Sequence, residues 1–202
     1  MYAGQPIRVL IVPGLRDSGE DHWQTWLQRQ YAGAARVQQD DWTRPDLQAW
    51  SRRIAQTVQR HPASTAWVAV AHSFGCLALA HYLRGLPEGR RGDFGVQSAL
   101  LVAPADPEKF GVAAELPRNG LRIPATLVGS ENDPWMPLER AQSWARDWSA
   151  RFINQGPAGH INAESGHGPW PLARWLVDQM IRDRQRQRRL QRAHPLELNY
   201  AI

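Results

Sequence analysis

Along this chain, short runs of aliphatic and β-branched residues alternate with longer stretches whose apolar positions recur every three to four residues. That alternation predicts an α/β fold built on a mostly parallel sheet. Ile7–Val12 reads as the first strand, closed by Pro13-Gly14. Ser18-Gly19-Glu20-Asp21 resembles a helix start capped by Ser18, and Trp23, Trp26, Leu27 and Tyr31 follow on one helical face. A short second strand is expected over Ala35–Gln39. Leu47, Trp50, Ile54 and Val58 repeat at helical spacing. Ala66–Ala71 is the third strand, and Cys76–Leu83 a helix behind it. Gly85–Gly95 reads as a loop, and Gln97–Ala103 as a fourth strand stopped by Pro104. Residues 104–123 carry prolines and glycines, which predicts a loop with one helical turn, too short for a cap domain. Ala125–Gly129 is the fifth strand. Pro137–Trp148 is a helix with Leu138, Ala141, Ala145 and Trp148 inward, and Ala150–Asn154 is the sixth strand. Pro171–Arg189 is the last helix, with Leu172, Trp175, Leu176 and Met180 on its apolar face.

One strand ends in a way that carries chemistry. Trp67-Val68-Ala69-Val70-Ala71 runs into His72-Ser73-Phe74-Gly75 and then into a helix-compatible stretch. A nucleophile elbow needs this strand–turn–helix context, with small residues beside the serine because strand and helix backbones approach closely. The G-x-S-x-G pattern here is Ala71-x-Ser73-x-Gly75, with alanine in the first glycine's place.

A serine hydroxyl needs a base to remove its proton during attack, and a carboxylate to hold that base in the right tautomer. In open parallel sheets such groups gather on loops at the carboxyl ends of strands. His160 lies six residues past strand six and is the preferred base. His167 lies further on, beside a helix start where a capping or surface role suffices. His72 adjoins the serine in a sharp turn, which suits packing or orientation. Asp133, in the loop after strand five, is preferred over Glu131 and over Asp106 as the orienting acid. The order Ser, Asp, His is that of α/β-hydrolases. An oxyanion needs preorganised N–H donors; topology nominates the backbone amides of Phe74 and Leu15. Trp135, two residues beyond Asp133, is a candidate wall of the substrate pocket, ahead of Trp42 and Trp170. His160, Glu164 and His167 could instead be read as metal ligands, but Gly159 and Gly166 argue for a loop rather than a ligand-bearing helix. The expectation is a protein without a metal or other cofactor.

Composition narrows the setting. The chain has 202 residues, enough for one domain with a substantial core. No apolar run approaches the roughly 20 residues that span a bilayer, so no membrane association is expected. One cysteine, Cys76, excludes an intrachain disulfide, and no basic segment followed by an apolar one opens the chain; both predict a cytoplasmic location. The net charge is +5. Residues 182–192 hold six arginines and one aspartate, so they account for all of it and the remainder is formally neutral. A nucleic-acid reading would rest on this tail alone, and a solvated end of the last helix accounts for it more simply, so nucleic acid is not expected as a partner and a protein partner through the tail stays open.

Together these motifs resemble the compact serine-hydrolase family of α/β-hydrolases that includes the retinoblastoma-binding serine hydrolase and the YdeN-like bacterial proteins. The matching pieces are Val-Pro-Gly at 12–14, Gln-Asp-Asp-Trp at 39–42, His-Ser-Phe-Gly at 72–75, Ser-Glu-Asn-Asp-Pro at 130–134 and Gly-His-Ile-Asn-Ala-Glu-Ser-Gly at 159–166. The resemblance covers residues 7 to about 180 and implies a lidless three-layer α/β-hydrolase fold of about six strands; the domain is expected over residues 1–181, with an arginine-rich tail over 182–202 that lies outside the match. The resemblance implies Ser73, Asp133 and His160 as the triad but brings no substrate with it; the leading reading of the residues is a hydrolase of small esters or amides acting through an acyl-serine. A binding or scaffold protein with vestigial turnover on the same fold is the alternative.

Overall fold

A computed structural model of the chain describes residues 7–87 and 95–192, with side chains to 190. Residues 88–94, the centre of the expected Gly85–Gly95 loop, and 193–202, the end of the tail, lie outside the described residues. Six parallel strands form one sheet in the order β2-β1-β3-β4-β5-β6. They are β1 (Ile7–Val12), β2 (Ala35–Arg36), β3 (Ala66–His72), β4 (Gly95–Val102), β5 (Ala125–Gly129) and β6 (Arg151–Asn154). The helices are α1 (Trp23–Arg29), α2 (Leu47–Gln59), α3 (Phe74–Arg84), α4 (Leu138–Asp147) and α5 (Pro171–Arg192). After β1 the chain steps outward to β2, then back past β1 to β3. The order reverses between β1 and β3, and such a reversal opens a crevice at the carboxyl ends of the two strands.

The two faces of β3 show why the sheet is buried on both sides. Successive side chains of a strand point to opposite faces. Trp67, Ala69 and Ala71 enter a core shared with α2, α3 and α4; Val68 and Val70 enter a second core with Trp23 and Leu27 of α1 and Ala173, Leu176 and Val177 of α5. The result is a three-layer α/β sandwich. Residues 104–123 form no cap: they hold one 3-10 turn, Ala113–Glu115, and Val112, Leu116 and Leu121 are buried in the α2–α4 core.

Several elements depart from the sequence expectation. Helix α1 starts at Trp23 with His22 as its cap, the Nδ1 of His22 accepting from the Gln24 amide. Ser18 does not cap it; its hydroxyl donates to the buried Gln24 Oε1 at 2.6 Å. On α5 the inward stripe is Ala173, Leu176, Val177 and Met180. Trp175 sits on the opposite side, 50% exposed, because two residues turn the helix by about 200°. Helix α4 buries Trp144 as well as the expected Ala141, Ala145 and Trp148. Trp170 is a core residue, edge-on to Trp23 at 5.1 Å, and Trp42 packs edge-on to Trp50 at 5.7 Å. Helix α5 continues unbroken through the arginine-rich segment, where Arg182, Arg186 and Arg189 are exposed and Arg188 is buried.

Candidate active site

Ser73 stands between the last residue of β3 and the first of α3 with φ 53° and ψ −127°. A non-glycine residue rarely takes this backbone, and it persists only where the surroundings enforce it. The enforcement is visible in two glycines. A Cβ on Gly75 would collide with the Pro13 carbonyl oxygen and lie 2.6 Å from that of Val12; a Cβ on Gly14 would lie 2.7 Å from the Cβ of Ser73. Strand β1, its following loop and the elbow are therefore in direct contact. Ala71, in the first glycine's position, is fully buried in the α2–α4 core and its methyl is accommodated. Phe74 is held edge-on by Trp50 at 5.1 Å and at a tilt by Phe110 at 5.1 Å.

The loops after β5 and β6 bring an acid and a base to this serine. His160 Nε2 is 2.9 Å from Ser73 Oγ, and His160 Nδ1 is 3.0 Å from both oxygens of Asp133. A carboxylate only accepts, so Nδ1 carries the proton and Nε2 is left to accept from the serine hydroxyl. Asp133 also accepts from the Trp135 amide at 2.9 Å. The two loops are stitched together by residues that composition alone did not single out. Asn132 Oδ1 accepts from the Gly159 amide at 2.7 Å, and Ser130 Oγ from the Ala158 amide at 3.0 Å. Glu131 accepts from Asn154 Nδ2 at 2.8 Å, so it serves the loop and not the base. In the Gly-His-Ile-Asn-Ala-Glu-Ser-Gly run, Asn162 and Ser165 form a reciprocal capping box, and Gly159 leaves room that a Cβ would take from Ser165.

The rival residues go elsewhere. Asp106 is buried, pairs with Arg140 at 2.8 Å and caps the Glu108 amide. His167 Nδ1 faces the Ser165 carbonyl. Among the described residues no three acidic, histidine or cysteine groups converge as a metal would need. Burial pushes the Cys76 thiol well up, so it is no competing nucleophile. Burial likewise holds His72 well below the usual histidine range, and burial together with Arg36 pushes His22 down to about 4.

The wall around the serine comes from three loops. Arg16 and Asp17, both at positive φ, spend their amides on the carbonyls of Trp42 and Gly14, which fixes the turn that carries Leu15. Leu15 is half-buried against the α2–α4 core. Trp135 is 54% exposed, its ring centroid 6.3 Å from that of His160. Lys109, the chain's single lysine, donates to the carbonyls of Pro134 and Trp135 at 3.2 and 2.9 Å and ties the loop after β4 to the one bearing Asp133. Two surface clefts of about 340 and 490 Å³ among the described residues are lined by neither Ser73, Asp133 nor His160.

A parallel three-layer sandwich with a serine on a strained strand–helix turn is the fold of an α/β-hydrolase. Residues 9–179 match the family model described as serine hydrolase, and the chain belongs to that family. A structure described as a YdeN-like hydrolase from Pectobacterium atrosepticum is similar to it at 33% identity, covering 89% of this chain and 91% of that one, with a TM-score of 0.77. The ydeN gene product from B. subtilis is similar in fold at 18% identity, over 86% of this chain and 98% of that one, with a TM-score of 0.68. The esterase domain of a Rhodothermus marinus protein shares the fold at 14% identity, over 90% of this chain and 89% of that one, with a TM-score of 0.59. No curated protein matches the chain. Among the described residues no helix is long and apolar enough to cross a membrane.

Proposed function

We propose that this serine hydrolase cleaves small ester or amide bonds through an acyl-Ser73 intermediate. The observation that carries the reading is the unbroken line from Ser73 Oγ to His160 Nε2 at 2.9 Å and from His160 Nδ1 to Asp133 at 3.0 Å. As Oγ attacks the carbonyl carbon, its proton passes to His160, and the imidazolium is held by the Asp133 carboxylate. The electron pair moved onto the carbonyl oxygen is met by the amides of Phe74 and Leu15, the first at the start of α3 and the second in the turn packed on the elbow. His160 then gives its proton to the leaving alcohol or amine. Water repeats the sequence on the acyl-serine and releases the acid. Trp135, flat and half-exposed beside His160, offers an open apolar wall that suits short acyl groups.

The test is labelling by a fluorophosphonate. The parent protein labels, Ser73→Ala does not, and His160→Ala labels at least a thousandfold more slowly, on the scale of removing one triad member, about 10³-fold or more. His167→Ala labels at the parental rate. Labelling of Ser73→Ala at the parental rate overturns the proposal.

A further inference from the structure

The base sits on a strained turn. Gly159 has φ 58° and Ile161 has φ 48°, and a β-branched residue in the left-handed region is disfavoured unless its neighbours hold it there. Two ring N–H groups do so from behind. Trp23 Nε1 donates to the Ile161 carbonyl at 2.8 Å, and His72 Nε2 lies 3.0 Å from the His160 carbonyl. A carbonyl only accepts, so His72 is the donor through Nε2. The carbonyls of the two peptide units that flank the Ile161 Cα are thus each fixed by a buried aromatic donor. Position 72 falls on the same face of β3 as Val68 and Val70, the face covered by α1 and α5, and so reaches Trp23.

These donors are themselves confined. His72 meets His22 edge-on at 4.9 Å and Trp23 edge-on at 6.1 Å; Trp23 meets Trp170 at 5.1 Å. Beneath them the fully buried Gln24 donates through Nε2 to the carbonyls of Val70 at 3.0 Å and Val12 at 3.3 Å. That amide clamps β3 to β1 just below the elbow. Burial also keeps His72 uncharged. Its ring centroid is 4.9 Å from that of His160, where a second cation would oppose the imidazolium formed during attack.

We infer that His72 and Trp23 are positioning residues: their ring N–H groups pin the two carbonyls of the 160–161 turn and so set the distance from His160 to Ser73. The residue immediately before the nucleophile thereby holds the backbone of the base, and a single dipeptide, His72-Ser73, contacts both ends of His160. Ser73 meets the ring while His72 meets the main chain. This inference rests on the proposed acyl-serine chemistry.

The experiment compares His72→Leu, which fills space without a donor, with His72→Gln, whose amide nitrogen reaches the Nε2 position, and with Trp23→Phe. Fluorophosphonate labelling rate, kcat and KM for an activated short ester, and thermal stability are measured on each. His72→Leu and Trp23→Phe should lose about 10- to 100-fold in labelling rate and kcat while KM stays within about threefold, the effect of displacing a reacting group by roughly 1 Å. His72→Gln should recover most of the loss. Should His72→Leu fail to fold, His72→Asn replaces it, because the shorter amide stops at the Nδ1 position. Parental labelling by the donor-free variant, or a glutamine variant as slow as the donor-free one at equal stability, overturns the inference. Absence of labelling in the parent protein instead overturns the proposed function.

Discussion

Lowering the pH from 7 to 5 should destabilise this fold through His22. Its ring is 5% exposed, and Nδ1 already accepts the Gln24 amide at the start of α1, so protonation would remove a cap as well as bury a charge. Burial is the largest cause of its depressed titration, followed by the positive charge of Arg36 and then by His160 and His167; the His72 ring also faces it at 4.9 Å. A histidine ionising near 4 in the folded state and near 6.5 in the unfolded one stays neutral in the fold while the unfolded chain takes up protons. Its contribution is therefore complete above pH 6.5, erodes as the pH falls, and is exhausted near pH 4. Between pH 7 and pH 5 the loss is about 2 kcal/mol by linkage, or roughly 4–8 °C in Tm for a chain of this size. The window stops at pH 5, above the range where most carboxylates titrate. His22→Asn keeps an acceptor for the Gln24 amide, since asparagine is a favoured cap, and removes the titration. In thermal melts at half-unit steps of pH, the variant should lose less stability than the parent between pH 7 and pH 5, by about that amount. Parallel curves would refute the reasoning. Some slope should remain in the variant, because His72 and His81 are also shifted down by burial.

Two further outcomes test the site's packing and its openness. Gly75→Ala should lose fluorophosphonate labelling and about 1–3 kcal/mol of stability, since its Cβ meets the backbone oxygens of Pro13 and Val12, which cannot yield as a side chain would; a urea melt and a labelling assay on the same sample check both. Across p-nitrophenyl esters from two to twelve acyl carbons, kcat/KM should favour the short members, because methylenes lying along an exposed Trp135 forgo most of the roughly 0.8 kcal/mol that each contributes on burial; a steady rise toward twelve carbons would refute the open-wall account.

The central strands β1, β3, β4 and β5 were legible because each carries an apolar run, as a parallel sheet covered on both faces demands, whereas β2, expected over Ala35–Gln39, pairs only over Ala35–Arg36. Ile7–Val12 and Ala125–Gly129 have the same limits in sequence and structure. Helix faces were legible only where the stripe was unambiguous. On α5, Leu172, Trp175 and Leu176 are all apolar, and hydrophobicity alone put Trp175 inward. The small Ala173 decides the rotation instead, because it lets the helix approach the sheet with Leu176 and Val177 beside it. At the start of α1, Ser18 matched the preferred cap chemistry, yet its hydroxyl is spent on Gln24 and a histidine takes the cap. Local propensity cannot foresee that a side chain will be recruited by a buried amide from the next turn.

The site was legible as residue types at strand ends, but the support behind it was not. Why His160 and not His167 meets the serine is a matter of backbone shape rather than reach. The loop leaving β6 must return past the ends of β5 and β4 to β3, about 14 Å at the usual spacing between strands. The six residues from Asn154 to His160 can extend to roughly 20 Å, and the longer stretch to His167 can do so too. Reach therefore permits both. What selects His160 is the turn at 159–161, bent through positive φ at Gly159 and Ile161 and fastened from three sides. Asn132 and Ser130 bind the amides of Gly159 and Ala158, just before His160. His72 and Trp23 bind the carbonyls at and after it. The capped 3-10 turn Ala163–Ser165 then carries the chain away, leaving His167 facing Ser165 and Trp170. Each of these fastenings is a single hydrogen bond between residues distant in sequence, which no periodicity encodes. The glycine at 159 and the Asn-x-x-Ser spacing at 162–165 are the parts of this support that leave a local trace.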